Sequence, residues 1–224
     1  MGEKTFKIPL PTLALRARVL LPYLATLNQM NMKLRLFPFL LLALFTVIGF
    51  SACGDDDDTV QDSLNYDGPN FTAPNQPAGN VAFAAFFPPS EVQGFNGRTL
   101  ESVRFWIEQV PARTEVVIYA AGADDNEPSN NVLYRQDVTQ RINTGGDWVT
   151  HRLNDAVVLD GTGIWLSIEV DLATFQQSVG CDQGLNYSPN GDRLRLDNGT
   201  WTDFFQLTGG EQVNWNIRGF LAEE

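Results

Sequence analysis

Two carboxylates, Glu169 and Asp171, lie two residues apart in a run that alternates apolar and polar side chains. Successive side chains of a β-strand point to opposite sides, so both acids would share one face. Glycoside hydrolysis uses two carboxyl groups, about 5 to 5.5 Å apart when the reaction retains configuration. An acid/base two or three residues after Asp171 is missing, because those positions hold Ala173 and Thr174. We therefore expect no catalytic residue, with a β-sandwich glycoside hydrolase as the less favoured alternative.

The single histidine, His151, would have to serve any Ser-His-Asp arrangement. No nucleophile motif lies near it, so we expect a strand histidine that faces solvent or packs at a sheet margin. A zinc site needs several His or Cys ligands, and after Cys53 the sequence offers only His151 and Cys181. Cys181 is expected to be a small buried apolar residue.

The loop from Gly122 to Glu127 carries hard oxygen ligands of the kind that calcium prefers, on Asp124, Asp125 and Glu127. Its spacing differs from that of an EF-hand loop, and acidic loop residues are commonly just solvated. Structural calcium at these three residues is one interpretation and a solvated loop is the other. No other cofactor is expected.

Aromatic side chains occupy positions that alternation assigns to polar strand faces. An exposed row of them would stack on the apolar faces of sugar rings, while nearby acids and amides bind hydroxyl groups. The alternative is that loops or a neighbouring sheet cover them, since Trp is usually well buried. The ligand-binding candidates are Trp106, Tyr119 and Trp165, with Trp148 and Trp201 in or near loops. Arg104 could form a cation–π pair with Trp106.

Short apolar runs separated by turn residues position these side chains. This pattern is typical of an all-β sandwich or barrel, and no stretch shows a sustained helical period. The runs are 81–87, 100–108, 115–121, 132–137, 148–153, 164–171, 193–196 and 214–220. We expect two antiparallel sheets in a jelly-roll-like sandwich, with the aliphatic face of Val103, Phe105 and Ile107 in the core.

The segment before the sandwich resembles the lipobox of bacterial lipoproteins. The apolar run Leu36 to Phe50 and the small residues Ser51 and Ala52 precede Cys53, after a basic start at Met32. The resemblance implies a signal peptide over 32–52, with an acylated Cys53 as the mature N-terminus. Residues 1–31 would then be an extension arising from the choice of start codon, and the alternative is a real N-terminal extension that carries Arg16 and Arg18. The run is too short for a retained membrane helix, which needs about 20 apolar residues.

Four consecutive acids, Asp55 to Asp58, follow Cys53. They repel one another, so residues 53–79 are expected to be an acidic, disordered tether before a domain over 80–224. The acid cluster also resembles the export signal that directs Bacteroidota-type lipoproteins to the outer face of the outer membrane. A merely hydrophilic linker is the alternative.

From Cys53 onward the chain has nine arginines, no lysine and 26 of its 27 acidic residues, a balance of −17. A surface of this sign repels phosphate backbones, whose binding needs clustered Lys and Arg. Nucleic acid is thereby excluded as a partner. High negative charge favours solubility and is found in salt-tolerant proteins.

The segments Val103-Arg104-Phe105, Val117-Ile118-Tyr119, 164–169 and 214–221 together resemble jelly-roll-like β-sandwich modules appended to secreted Bacteroidota peptidases and adhesins. The resemblance implies a surface lipoprotein, anchored in the outer membrane by its lipid, that serves as a non-catalytic binding or adhesion module. Its partner would be a polysaccharide or a surface protein. A structural or accessory subunit of a cell-surface complex is the alternative.

Overall fold

The computed structural model describes residues 62–197 and 199–223, which belong to one compact unit. The predicted signal peptide, Cys53 and the acid run Asp55 to Asp58 lie outside the described residues. No helix in the described part of the chain is both long and apolar enough to cross a bilayer.

The described residues fold almost entirely into strands. The strands are β1 (Ser63–Leu64), β2 (Asn75–Gln76), β3 (Gly79–Phe87), β4 (Thr99–Ile107), β5 (Arg113–Ala121), β6 (Pro128–Asp137), β7 (Asp147–Val158), β8 (Ile164–Leu172), β9 (Gln176–Gln177), β10 (Arg193–Arg195), β11 (Trp201–Asp203) and β12 (Ile217–Leu221). Two short helices, α1 (Pro89–Val92) and α2 (Phe204–Thr208), and two 3₁₀ turns, Gln93–Phe95 and Thr139–Arg141, lie between strands.

Two antiparallel sheets make up the sandwich. The four-stranded sheet has the order β1-β12-β4-β7, and the six-stranded sheet has the order β11-β10-β3-β8-β5-β6. Strands β2 and β9 form a separate pair. All eight predicted runs become strands, which confirms the predicted two-sheet antiparallel β-sandwich.

The core lies between the sheets and follows from alternation along each strand. Val103, Phe105 and Ile107 of β4 are fully buried, as expected, and pack in one cluster with Leu166 and Ile168 of β8. Fully burying each such side chain contributes about 1.5 to 3 kcal/mol. The inward set of β4 fixes the opposite set, which includes Arg104 and Trp106, on the outer face of the four-stranded sheet.

The folded domain begins earlier than the predicted boundary at residue 80. Strand β1 pairs with β12, and Leu64 enters the core with 3% of its surface exposed. Asp67 and Gln76 are also buried. Residues 63–79 therefore belong to the sandwich rather than to a disordered tether, because their pairing with distant strands orders them.

Candidate functional site

A groove lies on the outer face of the four-stranded sheet, where β4, β7 and β12 run side by side. Trp106 of β4 is directly opposite Trp148 of β7, and Arg104 of β4 is opposite Arg218 of β12. The segment 65–70 forms its far wall. The groove has a volume of about 490 Å³, and its lining comprises Asn65, Asp67, Gly68, Pro69, Asn70, Arg104, Trp106, Trp148 and Arg218.

The two tryptophans form an edge-to-face pair. Their ring centroids are 5.8 Å apart with an interplanar angle of 86°, an arrangement that the aromatic quadrupoles favour. The Nε1–H of Trp106 donates to Glu108 Oε2 at 2.9 Å. Gly180 lies against the ring, since a Cβ there would be 2.5 Å from Trp106 Cδ1. Trp106 is thus held in one orientation while remaining half-buried at the groove.

Two guanidinium groups lie over Trp148. The Cζ atoms of Arg104 and Arg218 are 4.9 and 4.4 Å from its ring centroid, within cation–π range. Arg218 also donates to Asp67, with Nη2 at 2.8 Å from Oδ2 and Nε at 3.0 Å from Oδ1. The sequence suggested Trp106 as the aromatic partner of Arg104; the structure places Arg104 over Trp148.

Asp67 is the carboxylate that anchors the far wall of the groove. Its side chain is fully enclosed, and it accepts a further hydrogen bond from Asn216 Nδ2 at 2.7 Å. Burial raises the pKa of Asp67, and the hydrogen bonds from Arg218 and Asn216 oppose that rise. The acid therefore fixes Arg218 and the segment 65–70 against the sheet and is not presented to a ligand.

A second hollow of about 280 Å³ continues from the groove past Gly68, Pro69 and Asn70. Its rim carries two conspicuously exposed apolar side chains, Phe71 at 62% and Leu185 at 85%. Asp182 closes its base, accepting from the backbone N–H groups of Gly68, Gly184 and Asn214 at 3.1, 2.9 and 2.8 Å. This carboxylate also serves to hold loops together.

The structure does not bring the three predicted aromatics together. Tyr119 and Trp165 are cross-strand neighbours on the six-stranded sheet, on the other side of the core from Trp106. They are 6% and 0% exposed, because Trp165 stacks on Phe86 at 4.9 Å and packs against Trp201 at 5.3 Å. Neither presents a ring face to a ligand, so the platform expected from all three reduces to Trp106 with Trp148.

Of the two acids on β8, Glu169 is engaged in ion pairs. Glu169 accepts a hydrogen bond from the hydroxyl of Tyr119, and its oxygens lie 3.3 Å from Arg135 Nη1 and 3.1 Å from Arg195 Nη2. Burial and Glu169 raise the pKa of Tyr119 to about 12. Both Glu169 oxygens are therefore occupied by partners that hold the sheet face together.

His151 and Cys181 are enclosed. The Nε2 of His151 is 2.7 Å from the hydroxyl of Tyr134, and its Nδ1 is 2.9 Å from Arg141 Nη1. His151 is 0% exposed, deeper than the solvent-facing or marginal position expected; burial, and then Arg141, lower its pKa. Cys181 is buried as expected, and desolvation raises the pKa of its thiol to about 12.

The acidic loop closes through its own turn. Asp124 Oδ1 accepts from the backbone N–H of Asn126 at 2.9 Å, and Asp124, Asp125 and Glu127 are all exposed. Within 62–197 and 199–223, no group of three or more His, Cys, Asp or Glu side chains is arranged to hold a metal ion. Calcium at this loop stays a prediction.

Several groove residues have no recognisable pattern in the sequence. Asp67 and Asn70 fall in the segment assigned to the tether, and Gly180 precedes Cys181, which is part of no motif. Arg218 lies at an outward position of the last predicted strand, next to Arg104 only once β12 is known to pair with β4. An acid that ion-pairs across 151 positions, as Asp67 does with Arg218, leaves no local pattern.

The fold places the chain among antiparallel β-sandwich proteins. No protein-family profile and no curated protein match it. Two solved structures of Cwp84, a surface layer associated protein of Clostridium difficile, are similar to it. One contains the cysteine protease and lectin-like domains, with a TM-score of 0.46, 14% identity, and coverage of 66% of this chain and 33% of that one.

The other is the same cysteine protease after propeptide cleavage, with a TM-score of 0.50, 15% identity, and coverage of 75% of this chain and 41% of that one. The chain thus spans well under half the length of these relatives. At 15% identity, the likeness to this second structure concerns the fold alone.

Proposed function

We propose that the domain is a non-catalytic binding module whose ligand is a glycan bound in the groove. The observation that carries this proposal is the pair of half-buried tryptophans, Trp106 and Trp148, in a groove whose remaining lining is mostly polar. A sugar ring would lie against an indole face, while amides of Asn65 and Asn70 and the guanidinium groups bind its hydroxyl groups.

The size of the groove and its chemistry fit binding better than catalysis. Its volume of about 490 Å³ lies within the range of about 300 to 1,000 Å³ usual for ligand sites. Asp67, the acid among its described lining residues, is fully committed to Arg218 and Asn216. Hydrolysis of a glycosidic bond would need two acids directed at the ligand.

The proposal includes display at the cell surface. An acylated Cys53 would anchor the chain in the outer membrane, and the acid run Asp55 to Asp58 would direct it to the exterior. The sequence pattern around Cys53 supports this part of the proposal. A module held outside the cell in this way would meet polysaccharides before any other partner.

A second candidate is an accessory subunit of a surface complex. The exposed side chains of Phe71 and Leu185 beside the groove favour it, because contiguous exposed apolar surface marks protein contacts. Such a partner would cover the second hollow and leave Trp106 unaffected.

Trp106→Ala and Trp148→Ala test the proposal. Binding of the soluble domain to a glycan array, followed by titration calorimetry on a positive glycan, should show that each variant loses about 2 kcal/mol or more of binding free energy, as central aromatic anchors do. Phe175→Ala removes an aromatic ring that is 70% exposed and does not line the groove, and should bind normally.

Thermal unfolding of each variant separates loss of binding from loss of the fold. Retained binding by both folded Trp variants would contradict the proposal. Loss of binding on substituting Phe71 and Leu185 instead would favour a protein partner.

A further inference from the structure

Within residues 62–197 and 199–223, Arg104 differs from the other arginines in that its side chain has no polar partner. Nine arginines follow Cys53. Six of them ion-pair with carboxylates, namely Arg98, Arg113, Arg135, Arg152, Arg195 and Arg218. Arg141 is hydrogen-bonded to His151, and Arg193 donates to Asn190. Over the described residues, the side chain of Arg104 makes a cation–π contact with Trp148 and no hydrogen bond.

This lack of a partner is informative because acids are abundant. From Cys53 onward, 26 acidic residues accompany the nine arginines, so a carboxylate could have been placed beside Arg104 as it is beside Arg218. The Nε of Arg104 is buried without a partner. Burying part of a guanidinium group without compensation costs free energy.

The neighbour of Arg104 increases that cost. Arg104 and Arg218 are directly opposite each other on β4 and β12, and like charges in such positions repel. Asp67 compensates Arg218 alone. The groove therefore holds two cations and one anion among its described lining residues, in a domain that is otherwise strongly acidic.

The guanidinium is also held in place before any ligand arrives. Arg104 is on the central part of β4, between β12 and β7, and its Cζ lies 4.9 Å from the ring centroid of Trp148. Trp106, two residues along the same face, occupies the next position in the groove. A cation fixed beside a sugar-stacking ring loses little side-chain entropy on binding.

We propose that the ligand of this groove is an acidic saccharide, whose carboxylate or sulfate group binds Arg104 while its ring lies against Trp106. The anion supplies the counter-charge that the fold leaves out, and the planar guanidinium matches the two oxygens of such a group. The net negative charge of the domain repels anions in general, so recognition depends on this contact. This inference rests on the proposed function and specifies its ligand class.

Matched glycans test it. Oligogalacturonate and its fully methyl-esterified form differ in charge at the carboxyl group, and sulfated and desulfated galactan form a second pair that separates sulfate from carboxylate. Titration calorimetry should give about 10- to 100-fold tighter binding for the acidic member of at least one pair, the range expected of a charged hydrogen bond.

Arg104→Gln should abolish that preference, because it weakens binding of the acidic member far more than binding of the neutral member. Arg113→Gln is the matched control, since it removes the same charge from the six-stranded sheet, away from the groove, and should keep the preference. Arg104→Lys keeps the charge without the planar fork and should retain part of the preference. Thermal unfolding shows that each variant is folded.

Four outcomes would overturn the inference. Equal binding of acidic and neutral members, or an unchanged preference in folded Arg104→Gln, would contradict recognition of an acidic group by Arg104. Either result would leave the proposal of glycan binding intact. Binding of oligoglutamate but of no glycan overturns both proposals in favour of an acidic peptide. Binding of neither glycans nor oligoglutamate overturns both as well.

Discussion

At the scale of single residues, the groove depends on a glycine, Gly180, because the space beside Trp106 admits no side chain there. Gly180 is tied to both walls of the site: its N–H donates to the carbonyl of Trp106 at 3.1 Å, and its carbonyl accepts from the N–H of Asn216 at 2.8 Å. A Cβ at this position would be 2.5 Å from Trp106 Cδ1 and closer still to Asn70 Oδ1. Only glycine leaves room for the ring and the amide together.

Gly180→Ala should therefore displace Trp106 and Asn70. We expect a loss of about 1 to 3 kcal/mol in the free energy of unfolding, the usual cost of overpacking, together with weaker glycan binding and an altered tryptophan signal in near-UV circular dichroism. Gly94→Ala is the matched control, because no atom lies within 4 Å of its added Cβ. A Gly180→Ala protein with unchanged urea stability and binding would show that the ring is not held here.

At the scale of elements, one buried acid joins strand β10 to helix α2. Asp192 lies just before β10 and is fully buried. Its Oδ2 accepts from the N–H of Phe205 at 2.9 Å and from the hydroxyl of Tyr187 at 3.3 Å, while its backbone carbonyl accepts from the N–H of Phe204. Burial raises the pKa of Asp192 to about 6 from an ordinary 3.8, and the hydrogen bond from Phe205 opposes the rise.

This junction predicts a pH dependence with a definite sign. Above about pH 6, Asp192 is ionised in both the folded and the unfolded chain, so the cost of burying its charge is fully present. As pH falls from about 6 toward 3.8, the folded state takes up a proton first, and that cost disappears. The contribution of Asp192 to stability therefore becomes more favourable with acidification.

Asp192→Asn removes the titration while an amide oxygen still accepts from Phe205. Relative to the unsubstituted protein, the variant should gain more stability at pH 7 than at pH 5, measured by urea unfolding at the two pH values. Asp125→Asn removes one charge from an exposed loop and should show no such difference. An Asp192→Asn effect that is equal at both pH values would contradict the assignment.

The elements also show what the sequence could predict. Strands such as β4 and β8 are nine residues long and alternate cleanly, so their existence and their buried faces were predictable. Strands β1, β2 and β9 have two residues each, too few for a period, and form because distant strands pair with them. Alternation placed Trp165 on an outer face. It could not predict that Trp201 and Phe86 cover the ring of Trp165.

The candidate site was less predictable than the fold for the same reason. Arg104 and Trp106 were recognisable as outward residues of one strand. Their partners Arg218 and Trp148 become neighbours only through the pairing of β12 and β7 with β4. Local sequence determines which way a side chain points, whereas the groove depends on strand order.

At the scale of the whole molecule, charge is distributed unevenly between the segment before Cys53 and the segment after it. The basic residues Lys4, Lys7, Arg16, Arg18, Lys33 and Arg35 and all three methionines precede Cys53, and nearly all acids follow it. The proposed display at the cell surface accounts for this asymmetry, since an export signal would form the first part and the displayed domain the second. In that proposal, Cys53 is where the two parts meet.

Cys53→Ala tests the anchor. Acylation needs the thiol of this residue, so the variant should incorporate no labelled palmitate and should leave the membrane fraction of a producing bacterium for the soluble one. The sandwich itself should be unaffected, and the released protein should bind glycan as before. Membrane association that persists in the variant would show that the chain is held by other means.

The second cysteine provides the control. Cys181 is 0% exposed within the sandwich, and burial raises the pKa of its thiol to about 12. At neutral pH the thiol is therefore neither accessible nor ionised. Cys181→Ala should keep both the palmitate label and the membrane association, whatever it costs in stability through the lost packing. Loss of the palmitate label in Cys181→Ala, with the label retained in Cys53→Ala, would overturn the anchor at Cys53. We do not expect this result, because the thiol of Cys181 is buried in the core.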